Sequence, residues 1–128
     1  MGKIVKANTE GLKSFDEEKF NPIAVYQTDD IKVIAAYFRE GQFIPIHTPQ
    51  VDVVIYVIEG EAEIVAGDKK FVAKKNDLVI VPKGIRRGVK ALTELSVLHV
   101  VQPAPSEKDH IEVHQKIAAG RFEQGDSP

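Results

Sequence analysis

The stretch that decides the fold is GQFIPIHTPQVDVVIYVIEG, residues 41–60. Its second half, residues 51–58, is an apolar run rich in Val and Ile that ends at Glu59 and Gly60. A run of that length between turn residues reads as a strand covered on both faces. Residues 61–66 then alternate with a period of two and stop at Gly67 and Asp68, so the two segments are expected to be neighbouring strands. Outward from this pair the same punctuation recurs. Strands are expected over residues 23–27 and 31–39 on one side, and over 71–73, 78–81, 88–92 and 95–101 on the other. Short strands at a spacing of roughly 8–12 residues indicate a sandwich or small barrel. No helix is expected within it.

The ends read differently. Residues up to about 21 are polar and weakly periodic, and are read as a short strand followed by an N-terminal arm. After Pro103 and Pro105, Ser106 and Asp109 resemble a capping box. Ile111, Val113, Ile117 and Ala118 supply an apolar side, and Gly120 supplies a stop. One C-terminal helix is therefore expected over about residues 106–119, followed by a frayed end. There is no internal repeat. The 128 residues are expected to form one domain, 1–128, with its barrel core over about 23–103.

Composition removes several classes of function. With 17 basic and 19 acidic residues the net charge is -2, so no global field recruits nucleic acid or anionic lipid. Lysines and arginines do cluster from Lys69 to Lys90, but only Phe71 lies among them as a stacking group, and a solvated hairpin face is the expectation. The absence of cysteine excludes disulfides, zinc ribbons and thiol nucleophiles. No apolar run approaches the roughly 18 residues of a membrane span and the first residues lack a signal-like apolar segment, so a cytoplasmic location is expected.

The turn pattern carries a resemblance. Gly41, five residues, His47-Thr48-Pro49, three residues, Val53, six residues and Gly60 resemble the first motif of the cupin superfamily, G-x5-H-x-H-x3-E-x6-G. Asn76-Asp77, four residues, Pro82-Lys83-Gly84, two residues and Arg87 resemble the second, G-D-x4-P-x-G-x-x-H. The resemblance spans about residues 31–105 and implies an all-β fold, the double-stranded β-helix barrel. Asn76 replaces a glycine, a mild departure because Asn tolerates the left-handed region. In metal-binding cupins the two histidines and the glutamate of the first motif and the histidine of the second form one inward site. Here those positions hold His47, Pro49, Val53 and Arg87. One ligand of four survives, and a guanidinium that cannot lose its proton opposes a cation beside it. No metal and no cofactor are expected.

His47, Pro49, Val53, Ile55 and Val57 share parity, so they are expected to face the cavity together and to make it largely apolar. Asp52 adjoins the vacated glutamate position but should point the other way. His99, within an apolar run, reads first as a packed core histidine. His110 and His114 are four apart on the expected helix, a metal-compatible spacing that lacks a third donor.

His47 and Arg87 are thus the candidate ligand-binding residues, Arg87 for an anion and His47 for a hydrogen bond. Arg87 should meet either a ligand or an internal carboxylate such as Glu61 or Glu63. The expected partner is a small, anionic molecule in a metal-free barrel. The alternatives are a metal-independent epimerase or isomerase with His47 as base, a dioxygenase-like metalloenzyme recruiting His99 or Asp52, and a non-catalytic interaction protein. No residue is assigned a catalytic role. Small single-barrel cupins commonly pair, and strands apolar on both parities want outward cover, so a homodimer is expected.

Overall fold

The computed structural model describes residues 2–103 together with Val113, Gln115, Ile117, Ala118, Gly120 and Phe122. Its elements in chain order are α1 (Thr9–Leu12), β1 (Asn21–Gln27), β2 (Lys32–Phe38), β3 (Phe43–His47), β4 (Asp52–Glu59), β5 (Glu61–Ala66), β6 (Lys69–Lys74), β7 (Leu78–Val81), β8 (Arg87–Ala91) and β9 (Leu95–Gln102). Every pairing is antiparallel. One sheet has five strands in the order β1-β2-β9-β4-β7 and the other four in the order β3-β8-β5-β6. The all-β barrel expected from strand spacing is therefore present, and no described helix is long and apolar enough to cross a membrane.

Alternation builds the core between the sheets. Along β4, Val53, Ile55 and Val57 are buried while the residues between them are not. They meet Ala62 and Ile64 of β5, Val89 and Ala91 of β8, and Leu95, Val97 and Val101 of β9 in one apolar cluster. The β4–β5 connection depends on Gly60, whose φ is +89° and where an added Cβ would overlap the carbonyl oxygen of Glu94. Asn76 is left-handed as its position requires, at φ 74°, and accepts a hydrogen bond of 2.6 Å from the Tyr56 hydroxyl.

Two expectations need correction. The opening residues do not form a strand. Asn8 caps the single turn of α1 by accepting from the Glu10 and Gly11 N–H groups, and Ile4 is 99% exposed. A strand needs a ladder partner, and the chain first meets one at Asn21, opposite Tyr37. The arm instead packs on the outward side of β2, where the Tyr37 hydroxyl donates to the Thr9 carbonyl and Phe15 meets the Tyr37 ring edge-on.

The second correction is β3, which the strand pattern missed because Pro45 interrupts the run. Proline is tolerated there because β3 is the edge of its sheet. At the C-terminus Val113, Gln115, Ile117 and Ala118 have helical backbone. The rest of the helix expected over 106–119, with His110 and His114, lies outside the described residues.

Candidate functional site

The site begins with an irregularity in β3. Ile44 pairs with Val89 and His47 with Arg87, so three steps along β3 answer two along β8. One extra residue on a strand is a β-bulge, and it resets the alternation. Ile44 faces the barrel interior. Strict alternation would turn His47 outward, and the bulge instead brings His47 to the same side as Ile44, next to Arg87. Ile46 takes the other face.

Local chemistry supports the bulge at three points. The Ile46 N–H donates to the Phe122 carbonyl at 2.6 Å. Gly88 leaves room for Ile46, since a Cβ there would lie 2.6 Å from Ile46 Cγ1. His47 Nδ1 is 2.9 Å from the Pro45 carbonyl oxygen. A carbonyl only accepts, so this contact places the proton on Nδ1.

Arg87 is 6% exposed and tied to main-chain oxygens. Its Nη2 donates to the carbonyls of Val51 at 2.9 Å and Pro82 at 2.8 Å, and its Nε to that of Ile85 at 3.2 Å. The guanidinium thereby joins the turn after β7 to the start of β4. The Gly84 N–H donates to the Pro49 carbonyl, and the Lys83 N–H to Asp52 Oδ1 at 2.7 Å, across the same seam. Asp52 faces outward, as expected, and supports the turn from there. No ion pair among the described residues joins Arg87 to Glu61 or Glu63. β5 buries Ala62 and Ile64 and turns those glutamates the other way.

His47 and Arg87 lie on the four-stranded sheet, and His99 lies on β9 of the other. In register His99 stands between Ile34 of β2 and Ile55 of β4. All three polar side chains line one cavity of about 280 Å³, with Lys32, Ile34, Ile44, Pro49, Val53, Ile55, Val89 and Val113 among its walls. The His99 ring is buried, and its Nε2 has no hydrogen-bond partner among the described residues. Desolvation, and secondarily the charge of Arg87, lower its pKa to about 4, so the imidazole is neutral at pH 7.

Parity on β9 and β2 is the signal that would have placed His99 and Lys32 here. His99 alternates with Val97 and Val101, and Lys32 with Ile34 and Ala36. The shared parity of His47 and Val53 was not such a signal, because the two residues stand on different strands in different sheets. The lysines from Lys69 to Lys83, with Arg86, are exposed, in keeping with a solvated surface.

The donor set does not fit a divalent cation. His47 is the only donor at the four motif positions, Pro49 and Val53 offer none, and Arg87 carries a permanent positive charge. Among the described residues no group of three or more His, Asp or Glu side chains is placed to hold a metal ion.

A family model described as "Cupin domain" matches residues 36–101, just over half of the chain. No curated protein matches. Among solved structures, the TT1209 protein of Thermus thermophilus is similar at 22% identity and a TM-score of 0.74, covering 78% of this chain and 98% of that one. An RmlC-like cupin protein from Desulfovibrio desulfuricans is similar at 28% identity and 0.71, with 79% and 98% covered. KdgF from a Halomonas species is similar at 20% identity and 0.65, with 77% and 90% covered.

Proposed function

The chain belongs to the cupin family, with the double-stranded β-helix as its fold, and from that premise we propose that its barrel binds a small anionic metabolite without a metal. The observation that carries this reading is the sign of the cavity's charge. Among its described lining residues the charged side chains are Lys32 and Arg87, accompanied by two histidines and no carboxylate. Two cations and no carboxylate among the described lining residues favour a negative group such as a carboxylate or phosphate. The volume lies at the small end of the roughly 300–1,000 Å³ typical of ligand pockets, which suits a small metabolite.

The test is a thermal-shift screen of small carboxylates and phosphate esters, each beside a neutral isostere, against the wild type and Arg87→Met. Saturating anion should raise the wild-type Tm by several degrees, since a ligand at 100 times its Kd stabilises by about 2.7 kcal/mol. Arg87→Met should lose that response. The variant should also be less stable by about 1–3 kcal/mol, because the Val51 and Pro82 carbonyls lose a donor. A wild type indifferent to every anion refutes the reading.

One observation favours a catalytic variant of it. An epimerase or isomerase with His47 as base needs a group to orient the imidazole, and the Pro45 carbonyl supplies one. An anion held by Arg87 would then lie beside His47, its cross-strand neighbour. Exchange of a substrate C–H proton into deuterated solvent, lost in His47→Gln, is the measurement that separates catalysis from binding alone.

A further inference from the structure

We infer that Lys32 is the residue that meets the anion, at the mouth of the barrel, and that the ligand is a monocarboxylic acid whose aliphatic body fills the space below it. The inference rests on the anion-binding reading above and names the contact and the substrate class.

The two cations of the lining are held differently. Arg87 commits its Nη2 and Nε to the carbonyls of Val51, Pro82 and Ile85, and its Nη1 is buried away from solvent. Its charge reaches the cavity through the field, and its hydrogen bonds hold the wall at Val51. Lys32 is half-buried and shares the inward parity of Ile34 and Ala36. Among the described residues it forms no ion pair, not even with Asp29 or Asp30 in the turn before it. Its ammonium sits on a flexible apolar stem and carries three donors, so it can follow a ligand's head group while the stem packs against the wall.

Register fixes where that charge lies. Lys32 stands opposite Val101, and Val101 opposite Val53, so the three form one row across β2, β9 and β4. This row is at the end of the barrel where β2 begins and β9 runs out. The next row inward is Ile34, His99 and Ile55, and the one after it Ala36, Val97 and Val57. At about 3.4 Å per residue, the wall from Lys32 to Ala36 is about 14 Å deep. The His99 Nε2 is closed off from solvent, so below Lys32 this sheet offers a ligand aliphatic surface.

One charge at the mouth above aliphatic rows matches a molecule with one anionic end. A second carboxylate would have to lose its hydration against Ile34 and Ile55. The volume, about 280 Å³, is what about nine molecules of bulk water occupy, room for about as many non-hydrogen atoms. Hexanoate is of that size.

Calorimetric titration of the full chain with hexanoate, hexan-1-ol and hexanedioate tests the inference. Hexanoate should bind the wild type about tenfold tighter than either of the others, the discrimination expected of one charge-assisted contact. In Lys32→Met its affinity should fall by about tenfold, while that of hexan-1-ol changes by less than about threefold. Lys32→Arg should keep most of the hexanoate affinity. The Lys32→Met protein should melt at the wild-type temperature, since the side chain it replaces is half-buried and makes no ion pair among the described residues. Hexanoate affinity unchanged in Lys32→Met, a parallel loss of hexan-1-ol affinity, or equal binding of hexanoate and hexanedioate to the wild type overturns the inference and leaves the anion site standing. Failure of hexanoate to bind, with other anions still raising the melting temperature in the screen above, also removes this inference alone. Failure of every anion removes both.

Discussion

The two sheets deliver polar side chains to the same cavity by opposite means. In the five-stranded sheet, β2, β4 and β9 keep an unbroken register around His99, which enters the interior because it alternates with Val97 and Val101. In the four-stranded sheet His47 enters only because the ladder is broken by one residue between Ile44 and His47. The regular ladder around His99 places it between Ile34 and Ile55, and its Nε2 has no hydrogen-bond partner among the described residues. The interrupted one places its histidine against a carbonyl that the bulge itself presents. A regular ladder thus aims a side chain but consumes the main-chain groups around it, whereas a bulge releases some of those groups to hold the side chain.

The contrast breaks most strongly on acidification. The pKa of His99 is about 4 in the folded protein and near 6.5 when unfolded, so the unfolded chain takes the proton first as pH falls. The stability associated with a neutral His99 is complete above about pH 6.5 and is lost progressively down to about pH 4. Over that window it amounts to about 3 kcal/mol. Urea denaturation of wild type and His99→Leu at pH 7 and pH 4.5 should show the acid loss reduced in the variant by most of this amount. Parallel losses in the two proteins would place the acid sensitivity elsewhere.

Gly88→Ala attacks the other sheet. Its Cβ would lie 2.6 Å from Ile46 Cγ1 and 3.1 Å from both Ile46 N and the Phe122 ring, on the residue the bulge inserts. Overpacking of this kind costs about 1–3 kcal/mol, and it should weaken anion binding by displacing His47. Unchanged stability and binding would show that the bulge does not depend on Gly88.

The outer faces of the sheets differ too. On the four-stranded sheet, Phe122 covers part of the outer surface, meeting Phe43 edge-on at 5.8 Å and lying 6.0 Å from the Lys90 ammonium. On the five-stranded sheet, Leu78 and Ile80 of the edge strand are 65% and 66% exposed beside Tyr56 and Val54. We propose this second face as the contact of a homodimer. Ile80→Lys should leave monomer stability within about 0.5 kcal/mol of the wild type, the smallest of these effects. It should reduce the light-scattering mass from twice 14.2 kDa to 14.2 kDa. A wild-type mass of 14.2 kDa refutes the proposal.

Most of the fold is legible along the chain because it depends on neighbours in sequence. Eight of the nine strands among the described residues follow from apolar runs closed by turn residues, and the ninth, β3, is hidden by Pro45, whose tolerance depends on β3 being an edge. The site is less legible. Motif spacing picks out His47 and Arg87, which the fold makes cross-strand partners. It does not show that Arg87 reaches the carbonyls of Val51, Pro82 and Ile85 rather than Glu61 or Glu63.

The sequence by itself determined the alternation of β2, β4 and β9, the turns at Gly60 and Asn76, and the loss of metal donors at Pro49, Val53 and Arg87. Each of these is a property of one residue or one short run. Only the tertiary structure decided that His47 faces inward, that Phe122 takes up the Ile46 N–H, and that His99 stands across the cavity with Nε2 buried and unpartnered among the described residues. Those outcomes depend on register between strands far apart in the chain, and a single inserted residue changes which face a side chain occupies without changing the composition of the strand.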